Sequence, residues 1–351
     1  MSGVERADSD FAKFRATKRS PLKLSEGALV KKSSLDGGGE LPLLMEPSGD
    51  DVNLPSWVKN NLPLVDAELA KHGAIMFRGF NTDSASKLEQ LIKSVSGEPL
   101  EYTERSSPRS QVSGNVYTST DYPPDKSIFP HNEQSYNLNF IMKIFFCCVQ
   151  RSEQGGETPV VDCRKVFARI DPKIRERFAE KKYMYVRNFR ENFGLSWQTA
   201  FQTTDRARVE VYCRGNEIEF EWMEDDRLRT RQVREPVAIH PRTGEPVWFN
   251  HLTFFHVSTL EPEVRDMLLS QFEADEMPNN TFYGDGSAIE PSVLEELRGA
   301  YLSEKVVFPW QEGDVMMLDN MLTAHAREPF VGARQVIVGM AEPFSWKNIS
   351  V

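Results

Sequence analysis

Apolar and polar positions alternate in short blocks along this chain, and the first clear periodicity begins near Pro55. From Trp57 to Lys71 apolar residues recur at helical spacing and stop at Gly73, a natural helix end. AIMFRGF, residues 74–80, is a continuous apolar run that predicts a buried strand. Asp83 or Ser84 can cap the next helix, which places Leu88, Leu91, Ile92 and Val95 on one face. Residues 101–130 lose all periodicity and fill with Ser, Thr, Pro and Gly. A loop that long inside a compact domain is functional or disordered, and its Tyr102, Tyr117, Tyr122 and Phe129 favour an ordered lid or pocket wall.

Short β-like runs follow: NFIMKIFFCCVQ (139–150), TPVVD (158–162), YMYVRNF (183–189), EIEFEW (217–222), RLRTRQV (227–233) and PVWFN (246–250). Helical patterns from Asp171, Asp205, Glu261 and Glu290 punctuate them, and KVVFPW, DVMMLD and RQVIVGM add three late strands. Many short strands without regular β–α alternation predict a mostly β fold, a jelly-roll barrel flanked by α-helices. The expected organisation is a polar, partly disordered extension over 1–40 and one domain over 41–351. That domain carries a lid at about 101–130 and a helical insert at about 190–300.

Composition narrows the class. In 351 residues, 40% are hydrophobic and 11% aromatic, the profile of a packed protein. No run approaches the roughly 18 apolar residues of a membrane span, and the polar N-terminal residues lack the apolar core of a signal peptide. The four cysteines form no CxxC pair, so a reduced, cytoplasmic setting is expected and Cys147 and Cys148 read as core. A net charge of −10 argues against nucleic acid as a partner, and the arginines of 227–234 read as a solvated face. No GxGxxG or GxxxxGK[ST] loop is present.

Six histidines can be weighed singly. His131 and Glu133 in FPHNEQSY would point to one face of a strand and could grip one ion. A third ligand from a distant strand would complete a two-histidine, one-carboxylate set with open positions, which suits iron(II). Six histidines and 52 acidic residues give about one H-x-E pair by chance, so context must carry the case. Thr158 follows two glycines in GGET, its hydroxyl available to a carboxylate. His325 follows a buried run and Arg334 comes nine residues later, positioned for a bidentate pair with a dicarboxylate. His72, His240 and His256 read as structural, and His251 as a pocket residue.

HNE (131–133), GGET (155–158) and the pairing of His325 with Arg334 resemble the taurine-dioxygenase superfamily. WFNHLTFFHVSTLEPEVR, NNTFYGDGSAIE and FPWQEGDVMMLDNMLTAHAREPF look like its SyrP-like branch of natural-product hydroxylases, over residues 50–345. The resemblance implies His131, Glu133 and His325 as iron(II) ligands, Thr158 and Arg334 as 2-oxoglutarate contacts, and O2 as cosubstrate. Glu133 departs from the commoner Asp, and Arg334 lies nearer its histidine than in many members, with Arg327 the weaker alternative clamp. A carboxylate at 133 argues against a halogenase. The implied substrate is an amino acid, free or tethered to a peptidyl carrier protein. Arg105, Arg109, Ser113, Tyr117, Gln134, Tyr136 and His251 are its candidate contacts. Desaturation or cyclisation by the same oxidant, a zinc hydrolase and a non-catalytic jelly roll stay open as alternatives.

Overall fold

The computed structural model describes residues 29–35, 39–102, 104, 109–119, 122–191 and 194–349. Structure begins earlier than the periodicity does. Val30–Ser34 (β1) pairs with Leu43–Pro47 (β2), which runs parallel to Ala74–Phe77 (β3). In β1 Val30 alone is buried, so VKKSS is an edge strand with no apolar pattern to betray it, inside the stretch read as an extension.

The single helix expected before Gly73 is two: α1 (Leu54–Asn60) and α2 (Leu62–His72). Pro63 has no N–H to continue the first helix and is accommodated in the opening turn of the second. Gly73 ends α2 at φ +78°, where its N–H reaches Leu69 O. The helix α3 (Ala85–Ser96) is capped by Ser84. The lid stretch contains a hairpin, β4 (Gln111–Ser113) with β5 (Val116–Thr118), and ends in β6 (Ile128–His131).

The long strand β7 (Asn139–Gln150) leads through β8 (Gln154–Gly155) to β9 (Val160–Asp162), α4 (Cys163–Arg169) and α5 (Pro172–Lys181). The middle of the chain forms β10 (Tyr183–Phe189), α6 (Trp197–Phe201), α7 (Arg206–Gly215), β11 (Glu219–Trp222) and β12 (Leu228–Arg234). It continues with β13 (Val237–Ile239), β14 (Pro246–Trp248), α8 (Leu252–Phe255), α9 (Pro262–Leu269), β15 (Asn279–Tyr283) and α10 (Pro291–Ser303). The chain closes with β16 (Lys305–Val306), β17 (Val315–Asp319), β18 (Thr323–Arg327), β19 (Phe330–Val331) and β20 (Gln335–Ser345).

Two sheets make the jelly roll. The larger runs β1-β2-β3-β17-β7-β20-β5-β4 and the smaller β16-β9-β18-β6. Strand β7 is buried on both faces, which is why its sequence is continuously apolar. Ile144, Phe146 and Cys148 point inward with Met316, Val338 and Val160, while Phe145 and Cys147 face α1–α3 through Trp57, Leu88 and Ile92. All four cysteines are buried and unbridged.

A third sheet, β11-β12-β10-β15, makes the insert a mixed layer and not a helical one. Its β12 corrects the solvated-face reading: Arg229 and Arg234 are buried, donating to Asn188 Oδ1 and to the Tyr136 carbonyl. Alternating charge was misread because both arginines have buried carbonyl partners. Among the described residues no helix is long and apolar enough to cross a membrane.

Candidate metal centre and its cavity

The strand β6 ends at His131, and Glu133 lies in the turn that follows, so the two do not share a strand face as the spacing suggested. The turn is instead pinned by Asn320, which sits between β17 and β18. Glu133 N donates to Asn320 Oδ1 at 2.9 Å, and Asn320 Nδ2 donates back to the Glu133 and Ile141 carbonyls at 2.8 Å each. Asn132 Nδ2 closes the knot on the Asn320 carbonyl at 2.7 Å.

His325 lies within β18, not after a strand, and antiparallel pairing sets it directly across from His131. The rings are 4.4 Å apart, with Phe146 packed 4.9 Å from His325 and Phe254 stacked 4.5 Å from His131. One ligand atom from each of His131, Glu133 and His325 lies within 4.8 Å of the others, and all three residues are buried. His131 Nδ1 is 2.9 Å from the Phe129 carbonyl and so carries the proton, which leaves Nε2 as the lone-pair donor. His325 Nδ1 is buried without a partner. Burial holds both imidazoles below their ordinary pKa, and the nearby Arg109 guanidinium pushes both the same way. Neutral imidazoles beside a carboxylate are the donor set that a divalent transition metal takes, so these residues fit an iron(II) ion.

The same cavity is lined by Thr158 and Arg334. Arg334 donates from Nε to the Gly156 carbonyl at 2.8 Å, and from its two terminal nitrogens to Ser119 Oγ and Thr158 Oγ1 at 3.2 Å each. Trp310 Nε1 donates to Thr158 Oγ1 at 3.1 Å. The GGET turn makes this contact possible. Gly156 has φ +75°, and a Cβ there would stand 2.9 Å from Arg334 Cδ and 2.5 Å from Ser152 Oγ. Arg327, the weaker alternative clamp, donates to the carbonyls of Tyr122, Pro123 and Lys126 and straps the lid.

The other expected contacts scatter. Arg109 lines the cavity, with Nη2 2.5 Å from Glu133 Oε2. His251 and Tyr136 form a buried layer behind His131, their rings 5.2 Å from His131 and 4.9 Å from His251 respectively. His251 Nδ1 is engaged by Ser135 Oγ at 2.7 Å, and burial holds its pKa well below the ordinary value. Gln134 is buried in the ligand turn at φ +54°. Tyr117 is buried and accepts from Tyr102 N at 3.2 Å, which makes it a brace. Ser113 is exposed on the edge strand β4 and does not line the cavity. Its polarity reflects an edge exposed to solvent. Arg105 lies outside the described residues. Sequence reasoning missed Asn320, Ser119 and Trp310. Only the DN pair at a strand end hinted at the first, and nothing marked the others.

Residues 39–341 match the family model described as taurine catabolism dioxygenase TauD, TfdA family. The dapdiamide synthesis protein DdaC of Enterobacter agglomerans is 41% identical over 279 residues, covering 80% of this chain and 85% of that one. A clavaminate synthase-like protein of Arabidopsis thaliana is 26% identical over 319 residues, covering 86% and 93%. Among solved structures, the PvcB protein of Pseudomonas aeruginosa shares the fold with a TM-score of 0.54 at 16% identity, over 89% of this chain and 91% of that one. A second PvcB structure, described as an Fe, alpha-ketoglutarate dependent oxygenase, has the same TM-score over 92% and 96%. With the family model spanning most of the chain and a relative above 40% identity, this protein belongs to the TauD/TfdA family and is an iron(II)- and 2-oxoglutarate-dependent dioxygenase.

Proposed function

We propose that this dioxygenase hydroxylates an unactivated C–H bond of an amino acid or amino-acid-derived compound in natural-product biosynthesis, with His131, Glu133 and His325 holding the iron. The carrying observation is the convergence of these three side chains within 4.8 Å, with the two histidines lining one cavity with Arg334 and Thr158. The 41% identity to a dapdiamide synthesis protein supports the amino-acid-derived class of substrate.

The protein's part follows from its own groups. His131, turned by the Phe129 carbonyl, and His325, fixed by strand pairing, present ring nitrogens from one side. Glu133 presents its carboxylate from the Asn320-pinned turn. Arg334 and Thr158 take the distal carboxylate of 2-oxoglutarate through a guanidinium already oriented by neutral acceptors. Phe146 and Phe254 exclude water around the two histidines. The bound cofactors supply the oxidation: one atom of O2 enters 2-oxoglutarate, giving succinate and carbon dioxide, and the other enters the substrate.

The test is succinate release with iron(II), 2-oxoglutarate and O2 across free amino acids and the same amino acids loaded on a peptidyl carrier protein. Mass analysis for one added oxygen accompanies it. A product with one added oxygen supports the reading. Succinate formed with loss of two hydrogens from the substrate overturns hydroxylation in favour of desaturation.

A further inference from the structure

We infer that Arg109 is a positioning residue for the metal site, holding the carboxylate of Glu133 so that one oxygen stays turned toward His131 and His325. This rests on the proposed metal-binding role of those three residues and goes beyond it.

Glutamate has one more rotatable bond than aspartate, so a ligating glutamate needs something to fix it. Asn320 fixes the Glu133 backbone but does not touch its carboxylate. The carboxylate is held by Arg109 Nη2 on Oε2, and both side chains are almost fully buried, at 4% and 2% exposure. Among the described residues no other side chain hydrogen-bonds that carboxylate. Oε1 is thereby left as the oxygen for a metal.

Arg109 is free for this task in a way its neighbours are not. Arg327 and Arg334 each donate to three oxygens of the chain, whereas Arg109 Nε and Nη1 are buried without a partner. Its guanidinium is itself clamped. It lies 4.7 Å from the centre of the Tyr102 ring, Tyr102 packs edge-on against Tyr117 at 6.3 Å, and Tyr117 belongs to β5 of the large sheet. The sequence of contacts β5, Tyr117, Tyr102, Arg109, Glu133 therefore ties the start of the lid stretch to the metal centre. A group that orients a ligand from outside the coordination sphere typically changes metal affinity 10–100-fold when removed.

The experiment measures cobalt(II) affinity by equilibrium dialysis and the visible spectrum of the bound ion, on the full chain without cosubstrate. Arg109→Gln is expected to weaken cobalt(II) binding roughly 10–100-fold and alter the spectrum, and Arg109→Lys to recover part of the loss. The second arm repeats both changes with Glu133→Asp, whose shorter carboxylate withdraws from Arg109. There Arg109→Gln should cost less than about threefold, the non-additivity expected of two residues in contact. A dissociation constant for Arg109→Gln within about threefold of the parent, or an equal loss in both backgrounds, overturns the inference. If Arg109→Gln does not fold, the Arg109→Lys comparison in the two backgrounds decides on the same criterion. Failure of the unsubstituted chain to bind cobalt(II) at all would instead overturn the metal-ligand reading itself.

Discussion

At one end of the cavity, Arg334 donates to a carbonyl and two hydroxyls, and Thr158 is met by Trp310. At the other end, His325 Nδ1 and two nitrogens of Arg109 are buried with no partner, and the ligand turn is ordered through its backbone by Asn320. The first end is a hydrogen-bonded array in which all three guanidinium nitrogens of Arg334 have an acceptor. Neutral acceptors orient the guanidinium without cancelling its charge, so an incoming carboxylate meets a cation that needs little ordering. The second end gathers two neutral imidazoles and a carboxylate, whose lone pairs a divalent metal ion would draw together. It follows that substitutions of the proposed ligands themselves should act in an all-or-none manner, while those of the residues that position them, and those at the proposed cosubstrate end, should be graded.

The largest effect is expected from His325→Ala. Removing one of two imidazoles leaves no second neutral nitrogen, and succinate formation should fall below detection while the fold persists. Retained turnover would erase the contrast between the two ends, because it would remove His325 from the metal. Arg334→Ala comes next. Losing charge-assisted bonds of about 1.5–3 kcal/mol should raise KM for 2-oxoglutarate roughly 10–100-fold, with kcat at saturation much less affected. A fall in kcat at unchanged KM would assign Arg334 elsewhere.

Asn320→Ala probes the metal end through its backbone. It strands the buried Glu133 N–H and carbonyl, at about 1–3 kcal/mol each, so urea unfolding should show a loss of about 2–6 kcal/mol. Metal affinity of the folded fraction should fall about tenfold, less than for His325→Ala because the ligands remain. An unchanged unfolding midpoint would show that the turn is held by strand pairing alone.

The two ends were unequally legible in the sequence. His131, Glu133, His325, Thr158 and Arg334 could be singled out because their residue types are rare or chemically loaded, and the structure brings four of them to one cavity with Glu133 beside the two histidines. Strands such as β7 and β10 were readable because burial on both faces writes a continuous apolar run. The strand β1 was not, since four of its five residues face solvent. Neither was the split between α1 and α2, where a proline starts a helix that the apolar spacing carries straight through. Asn320 and Arg109 act by contacting groups 187 and 24 residues away, a relation with no local pattern. Tyr117 and Ser113 were misjudged for the same reason in reverse: polar atoms in a lid look like ligand contacts until a neighbouring strand is seen to use or expose them.

The smallest effect tests the graded end most finely. Trp310→Phe keeps the ring buried against Phe308 and removes one hydrogen-bond donor, Nε1 to Thr158 Oγ1. That hydroxyl then keeps Arg334 Nη2 as its donor, so the array loosens without losing its charge. A neutral hydrogen bond is worth about 0.5–1.5 kcal/mol net, which corresponds to a rise in KM for 2-oxoglutarate of about two- to tenfold. Metal affinity should not move, because no atom of Trp310 lines the metal end of the cavity. Measuring the two constants side by side on this one variant separates the ends directly. If cobalt(II) affinity falls as KM rises, the two ends form a single coupled network, and the graded behaviour expected of Arg334 must then give way to the all-or-none behaviour of the histidines.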